Sequence, residues 1–223
     1  MRYSRRRYRF RRRPYGRKRY RRRFYRRRRR SGRRELKLRY LLLSNSIGTA
    51  WTTVPAGDTG VAVNIWPGTS SNQRVGRKIY LKNFVIRGSL ISGATGASGI
   101  DDAWDAVRIV ILWGSPHTTI ANRFDTSGIG LYSPIRNQDY VNRVLFDKVY
   151  TLRSLISLGG GNFVPAVKEI HINKRLNKTI TFNDTDQFCI GRDLYVLMVS
   201  NSLAIPNPGW SESSYAKIQY YDA

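Results

Sequence analysis

The chain has 223 residues, of which 40 are Lys or Arg and 14 are Asp or Glu, giving a formal net charge of +26. It has no run of the roughly 18 apolar residues that a membrane helix needs, and its charged amino end lacks the apolar segment of a secretory signal, so neither membrane insertion nor secretion is expected. The single cysteine, Cys189, excludes an internal disulfide and, with only two histidines, any Cys/His zinc set; this is the cysteine usage expected inside a cell.

The chain opens RYSRRRYRFRRRPYGRKRYRRRFYRRRRR, and its first 34 residues hold 21 of the 40 basic residues and no acid. The other 189 residues carry 19 basic and 14 acidic side chains, a charge of only +5. An asymmetry this large points to a polyanionic partner. So many like charges cannot bury enough apolar area to offset ordering entropy, and residues 1–34 are expected to be a disordered arm. Its cations are Arg5, Arg6, Arg7, Arg9, Arg11, Arg12, Arg13, Arg17, Lys18, Arg19, Arg21, Arg22, Arg23, Arg26, Arg27, Arg28, Arg29, Arg30, Arg33 and Arg34, together with Arg2. Guanidinium forks onto phosphate oxygens and stacks on flat rings. Tyr3, Tyr8, Phe10, Tyr15, Tyr20, Phe24 and Tyr25 are interleaved with these arginines. Rings of this kind stack on unpaired bases without demanding a sequence, so the arm suits single-stranded nucleic acid; the alternative is that they stack on neighbouring arginines. The same tract reads as a nuclear localisation signal, which makes nuclear import receptors expected partners. Membrane-surface binding fits less well, because the rings do not line one helical face.

Beyond Arg34, short apolar stretches alternate at period two between Gly, Ser, Asn and Pro. In LKLRYLLL (36–43), Leu36, Leu38, Tyr40 and Leu42 share a face. In KIYLKNFVIRGSLI (78–91), Tyr80, Phe84, Ile86 and Leu90 fall together, opposite Asn83 and Arg87. VRIVILW (107–113) is apolar throughout, as a strand covered on both sides would be. VLFDKVYTL (144–152) groups Val144, Phe146, Tyr150 and Leu152; VKEIHINKRL (167–176) and TITF (179–182) read as two further strands. DLYVLMVS (193–200) is again doubly apolar, and YAKIQYY (215–221) puts Ala216, Ile218 and Tyr220 on one side. Helix is expected at most within 115–143 or near 153–158. The pattern predicts an all-β body over residues 35–223, a single eight-stranded antiparallel jelly roll with long loops. An immunoglobulin-like sandwich is the runner-up; its Cys–Trp–Cys spacing is absent.

Candidate chemistry in the body is sparse. Arg74, Arg77 and Lys78, followed by Lys82 and Arg87, form a second basic cluster that either extends a nucleic-acid surface or is solvated charge. Lys174, Arg175 and Lys178 read as a turn-like cluster. Asp101, Asp102 and Asp105 lack a calcium-loop spacing and read as a solvated turn, and NDTD (183–186) as an Asx-type turn. His117 and His171 form no HxH or HExxH pair; Ser115 is not in a nucleophile elbow; Gly159, Gly160 and Gly161 lack the GK[ST] of a phosphate loop. Cys189, in FCI, reads as a buried inert thiol. No catalytic residue, metal or cofactor is expected.

A polyarginine start laced with Tyr, then RVGRKIYLKNFVIRGSL (74–90), DAVRIVILW (105–113) and DLYVLMVS (193–200), resembles the capsid proteins of small circular single-stranded DNA viruses, the circoviruses and their relatives. The resemblance implies sixty identical copies in the smallest icosahedral shell, an inward-facing arm, a circular single-stranded DNA genome as partner and a host-cell attachment factor. Sixty arms of 21 charges carry 1260 positive charges, enough to neutralise a genome on the order of 10³ nucleotides. Aromatic groups outside the strands are candidates for subunit contacts, because aromatics are enriched at interface centres. Trp51, Trp66, Trp104 and Trp210 are those candidates, and at least two of them are expected there; Trp113 is expected in the core. The sequence therefore reads as a non-enzymatic coat protein of the virion that passes through the host nucleus. The alternatives are a basic β-sandwich factor that binds nucleic acid without forming a shell, and a nuclease, which lacks a His/Asp/Glu constellation.

Overall fold

The computed structural model describes residues 35–44, 46–54, 62–93, 104–114, 124, 130–135, 142–156, 163–185, 187, 189–203 and 205–222. The chain divides into two units, Met1–Glu35 and Leu36–Ala223. The arm residues lie outside the described residues.

Every regular element among the described residues is a strand. In chain order they are β1 (Leu36–Leu42), β2 (Thr52–Thr53), β3 (Lys78–Ile91), β4 (Trp104–Gly114), β5 (Asn142–Arg153), β6 (Leu155–Ile156), β7 (Phe163–Val164), β8 (Val167–Phe182), β9 (Cys189–Ile190), β10 (Asp193–Ser200), β11 (Gly209–Trp210) and β12 (Tyr215–Asp222). The larger sheet has the order β1-β12-β3-β8-β9, with β11 also on β3; the smaller is β2-β10-β4-β5; β6 and β7 form a separate pair. All strand pairs are antiparallel.

The two sheets share one core. Ile79, Leu81, Phe84 and Ile86 from β3, Ile170, Ile172 and Ile180 from β8, and Ala216, Ile218 and Tyr220 from β12 meet Val107, Ile109 and Ile111 from β4 and Leu194, Val196 and Met198 from β10. The opposite faces of β4 and β10 are buried too. Val110, Leu112, Tyr195 and Leu197 pack on Phe124 and Trp51, and Ala106 and Val199 on Leu131. That second cover explains why both strands are apolar throughout, as the sequence predicts. Arg108 fastens the cover: its guanidinium binds Asp147 at 2.6 and 2.8 Å and donates to the carbonyls of Leu131 and Ser133. Trp113 belongs to the shared core, as expected.

Bulges change the expected faces. Lys82 is passed over in the pairing of β3 with both β12 and β8. An extra residue inverts side-chain alternation: Ile79 and Leu81 point inward before it, Phe84, Ile86 and Leu90 after it. Tyr80, expected beside Phe84, therefore lies on the outer face against Tyr221. A register shift between β4 and β5 separates Val144, which is exposed, from buried Leu152 in the same way. The expected strands 167–176 and 179–182 are one strand, β8. The intervening Asn-Lys does not end the strand: Asn177 takes a positive φ of 48° at a bulge where β8 carries its own extra residue, and pairing with β3 resumes at Lys178. Lys174, Arg175 and Lys178 accordingly sit on a strand.

In β1 the apolar set Leu36, Leu38, Tyr40 and Leu42 does share a face, and it is the one turned away from the core. Leu41 and Lys37 point inward. Lys37 buries its aliphatic stem there while its ammonium meets Asp222 and the Gln73 carbonyl, each at 2.8 Å.

Candidate nucleic-acid interface

The arm cations, Arg5 to Arg34 as named above, and the arm rings Tyr8 and Tyr20 lie outside the described residues. The cluster expected to extend their surface is divided by the fold. Arg74 is not available to a phosphate, which corrects its expected role: it is 1% exposed. It donates to the carbonyls of Ile65 (3.2 Å), Asn183 (2.6 Å) and Gly76 and lies 4.5 Å from the Phe182 ring centroid. Arg77 is exposed but paired with Asp184 in a two-point ion pair. Asn183 and Asp184, read as a turn, thus each hold one of these arginines. Lys78, Lys82 and Arg87 remain on the outer side of β3, with Lys78 and Arg87 exposed and Lys82 half-buried.

These three belong to a larger surface. Strand register sets the outward side chains of the larger sheet in four rows. Leu42, Tyr215, Arg87 and His171 form the first; Tyr40, Lys217, Val85 and Asn173 the second. Leu38, Gln219, Asn83 and Arg175 form the third, and Leu36, Tyr221, Tyr80 and Thr179 the fourth. Strands spaced about 4.8 Å apart and alternate residues about 6.8 Å apart make this a face about 15 by 20 Å. Tyr40 and Tyr215 meet edge to face at 5.6 Å, and Tyr80 and Tyr221 stack at 6.5 Å. Each pair has a lysine over a ring: Lys217 lies 5.7 Å from the Tyr215 centroid and Lys82 5.7 Å from that of Tyr221. Asn83 donates to Gln219 at 2.8 Å. Among the described residues this face carries Lys78, Lys82, Arg87, Arg175 and Lys217 against one carboxylate, Glu169. Sequence reasoning missed Tyr215, Lys217, Gln219 and Tyr221. The alternation in YAKIQYY was read for the apolar set it buries and not for the complementary set it displays.

The tryptophans also divide. Trp210 is 3% exposed in the shared core, its ring N–H 3.1 Å from the Met198 sulfur, so its expected place at a subunit contact is corrected to core capping. Trp51 is half-buried, stacked on Phe124 at 4.0 Å beneath Arg108 at 5.9 Å. Trp66 and Trp104 are 51% and 43% exposed.

Asp105, expected in a solvated turn, is fully buried at the start of β4 and accepts the Gly93 N–H at 3.0 Å; Asp101 and Asp102 lie outside the described residues, as do Ser115, His117 and Gly159 to Gly161. Among the described residues no group of three His, Cys, Asp or Glu could hold a metal. Cys189 is buried as expected, and burial, reinforced by Asp193, pushes its thiol far above the usual range. Burial likewise raises Tyr220, which donates to the Gln73 carbonyl at 3.2 Å. No protein-family model and no curated protein sequence matches this chain.

Proposed function

We propose that this chain is a non-enzymatic coat protein. Its body assembles with copies of itself into a small closed icosahedral shell, and its arm packages a circular single-stranded DNA genome. With β9, β11 and the β6–β7 pair set aside, eight strands remain, and in chain order one sheet runs first, eighth, third, sixth and the other second, seventh, fourth, fifth. That order supports a single jelly roll, the double Greek key of many shell-forming proteins. What carries the reading is one juxtaposition: an acid-free segment with 21 basic residues joined to a nearly neutral body of this strand order. A cation density of that kind binds phosphate whatever the sequence and does so with steep salt dependence. The choice of DNA, the count of sixty and a host-cell attachment factor follow from the resemblance to circovirus capsids. The basic tract supports nuclear import as an earlier role of the same segment.

Electron microscopy of the purified full chain tests this directly. Hollow, uniform particles containing nucleic acid are the expected result; a monodisperse monomer at high concentration refutes the coat-protein reading and leaves the shell-less basic factor. Removing residues 1–34, which carry +21 of the +26 charge, is expected to leave a folded body that has lost most of its nucleic acid and stays out of the nucleus. Nucleic-acid content unchanged by that truncation refutes the arm's role.

A further inference from the structure

We propose that the outer face of the larger sheet is itself a platform for single-stranded nucleic acid, separate from the arm. The inference deepens the coat-protein reading and rests on it for the identity of the partner. Three observations point the same way. First, the face displays Tyr40, Tyr80, Tyr215 and Tyr221 in two ring pairs, one at each end of the strands, with six residue steps along β12 from Tyr215 to Tyr221. At about 3.4 Å per residue they stand roughly 20 Å apart, room for a short run of nucleotides with bases stacked at both ends. Second, cations stand between and over the rings. Lys82 and Lys217 sit over Tyr221 and Tyr215, and Arg87 and Arg175 lie across the strands. Third, the amides of Asn83, Gln219 and Asn173 supply donors and acceptors for base edges, while the face's one carboxylate among the described residues, Glu169, stands at the margin. A core has no use for this set. An interface pairing this face with the same face of a second copy would bury much like charge with only Glu169 among the described residues to offset it.

The flatness of the face selects the strandedness. A sheet of four strands cannot enter a duplex groove, whereas unpaired bases can lie on its rings and leave their phosphates to the lysines and arginines. Leu36, Leu38 and Leu42 along β1 extend the apolar part of the platform. Recognition of this kind tolerates any sequence, because every base has a face to stack.

The test is photo-cross-linking of the full chain to a single-stranded oligonucleotide carrying iodouracil, with the adducts mapped by mass spectrometry. DNA and RNA versions form the two arms of the experiment. Adducts on Tyr215, Tyr221, Tyr80 or Tyr40, in addition to those in residues 1–34, are expected. Adducts confined to residues 1–34 overturn the platform and leave the packaging role of the arm intact. Absence of any adduct on residues 1–34 sinks the coat-protein reading itself. Two variants make the result quantitative. Tyr215→Leu with Tyr221→Leu keeps apolar bulk and is expected to remove body adducts while arm adducts persist. Lys82→Gln with Lys217→Gln, on the surface and away from the core, is expected to lower the slope of log affinity against log salt by about 1.4, roughly 0.7 for each phosphate that is no longer neutralised. An unchanged slope counts against the platform even if the tyrosine variant fails to fold.

Discussion

Arg74 and Arg77 stand three residues apart and end in opposite situations. Arg77 is in water with Asp184 for a partner, whereas Arg74 is enclosed and spends its donors on three carbonyls. One of those carbonyls belongs to Asn183, 109 residues away. No local pattern marks that destination, so the sequence groups the two as one basic cluster. The difference has a measurable consequence. Arg74→Met keeps the volume over Phe182 but leaves the carbonyls of Ile65, Gly76 and Asn183 without that donor. At about 1–3 kcal/mol per buried group left unsatisfied, the variant is expected to lose at least about 3 kcal/mol of stability in urea unfolding. Its nucleic-acid salt slope, measured where it is still folded, is expected to match that of the wild type. A variant of wild-type stability with a reduced slope would instead place Arg74 on the binding surface.

At the scale of elements, the tight junction of β3 and β12 is the most exacting. Gly88 lies beside the point where the chain enters β12, and a Cβ there would fall on the Ser214 side chain and within 2.7 Å of its Cα. Ser214 cannot retreat freely, since its hydroxyl accepts the Ser89 N–H at 3.0 Å. Gly88→Ala is therefore expected to cost at least the roughly 1–3 kcal/mol typical of overpacking. The cost is expected to show as a lowered thermal midpoint, and an unshifted one would mean that the turn before β12 yields. The strands themselves were largely legible. Doubly apolar runs such as VRIVILW and DLYVLMVS can only be central strands, and clean alternation in YAKIQYY can only be half-buried. Illegible were the positions at which alternation changes phase. Whether Lys82 is skipped, or Asn177 turns left-handed inside β8, depends on the strands alongside and not on the residue's own neighbours. The step at Lys82 decides that Tyr80 joins the displayed face, so Lys78, Lys82 and Arg87 were readable as a cluster, whereas Lys217, the strand placement of Arg175 and the ring pairs were not. The two-residue strands β2, β6, β7, β9 and β11 are likewise defined by their partners alone.

For the molecule as a whole, the division of charge predicts how the proposed shell and its contents would come apart. The first 34 residues carry +21 of the total +26, so in the proposed coat protein phosphate binding is expected to concentrate there. An arm that seats about ten phosphates loses about four orders of magnitude in affinity over a roughly fourfold rise in salt. Contacts between bodies answer to different physics. The exposed groups available for them include Trp66 and Trp104, together with Leu203 and Ile205, each 87% exposed. Burial of such surface is not weakened by salt and is strengthened by sulfate. Raising sodium sulfate on intact particles is thus expected to release nucleic acid first and leave empty shells of unchanged diameter, as read by light scattering together with nuclease sensitivity. If shell and nucleic acid are lost at the same salt concentration, then the genome bridges the subunits and the bodies do not hold one another. The same titration on particles carrying Trp104→Ser separates the two cases further. Apolar cohesion predicts a weaker shell with an unchanged release point for nucleic acid, because the arm's grip on phosphate does not involve that side chain.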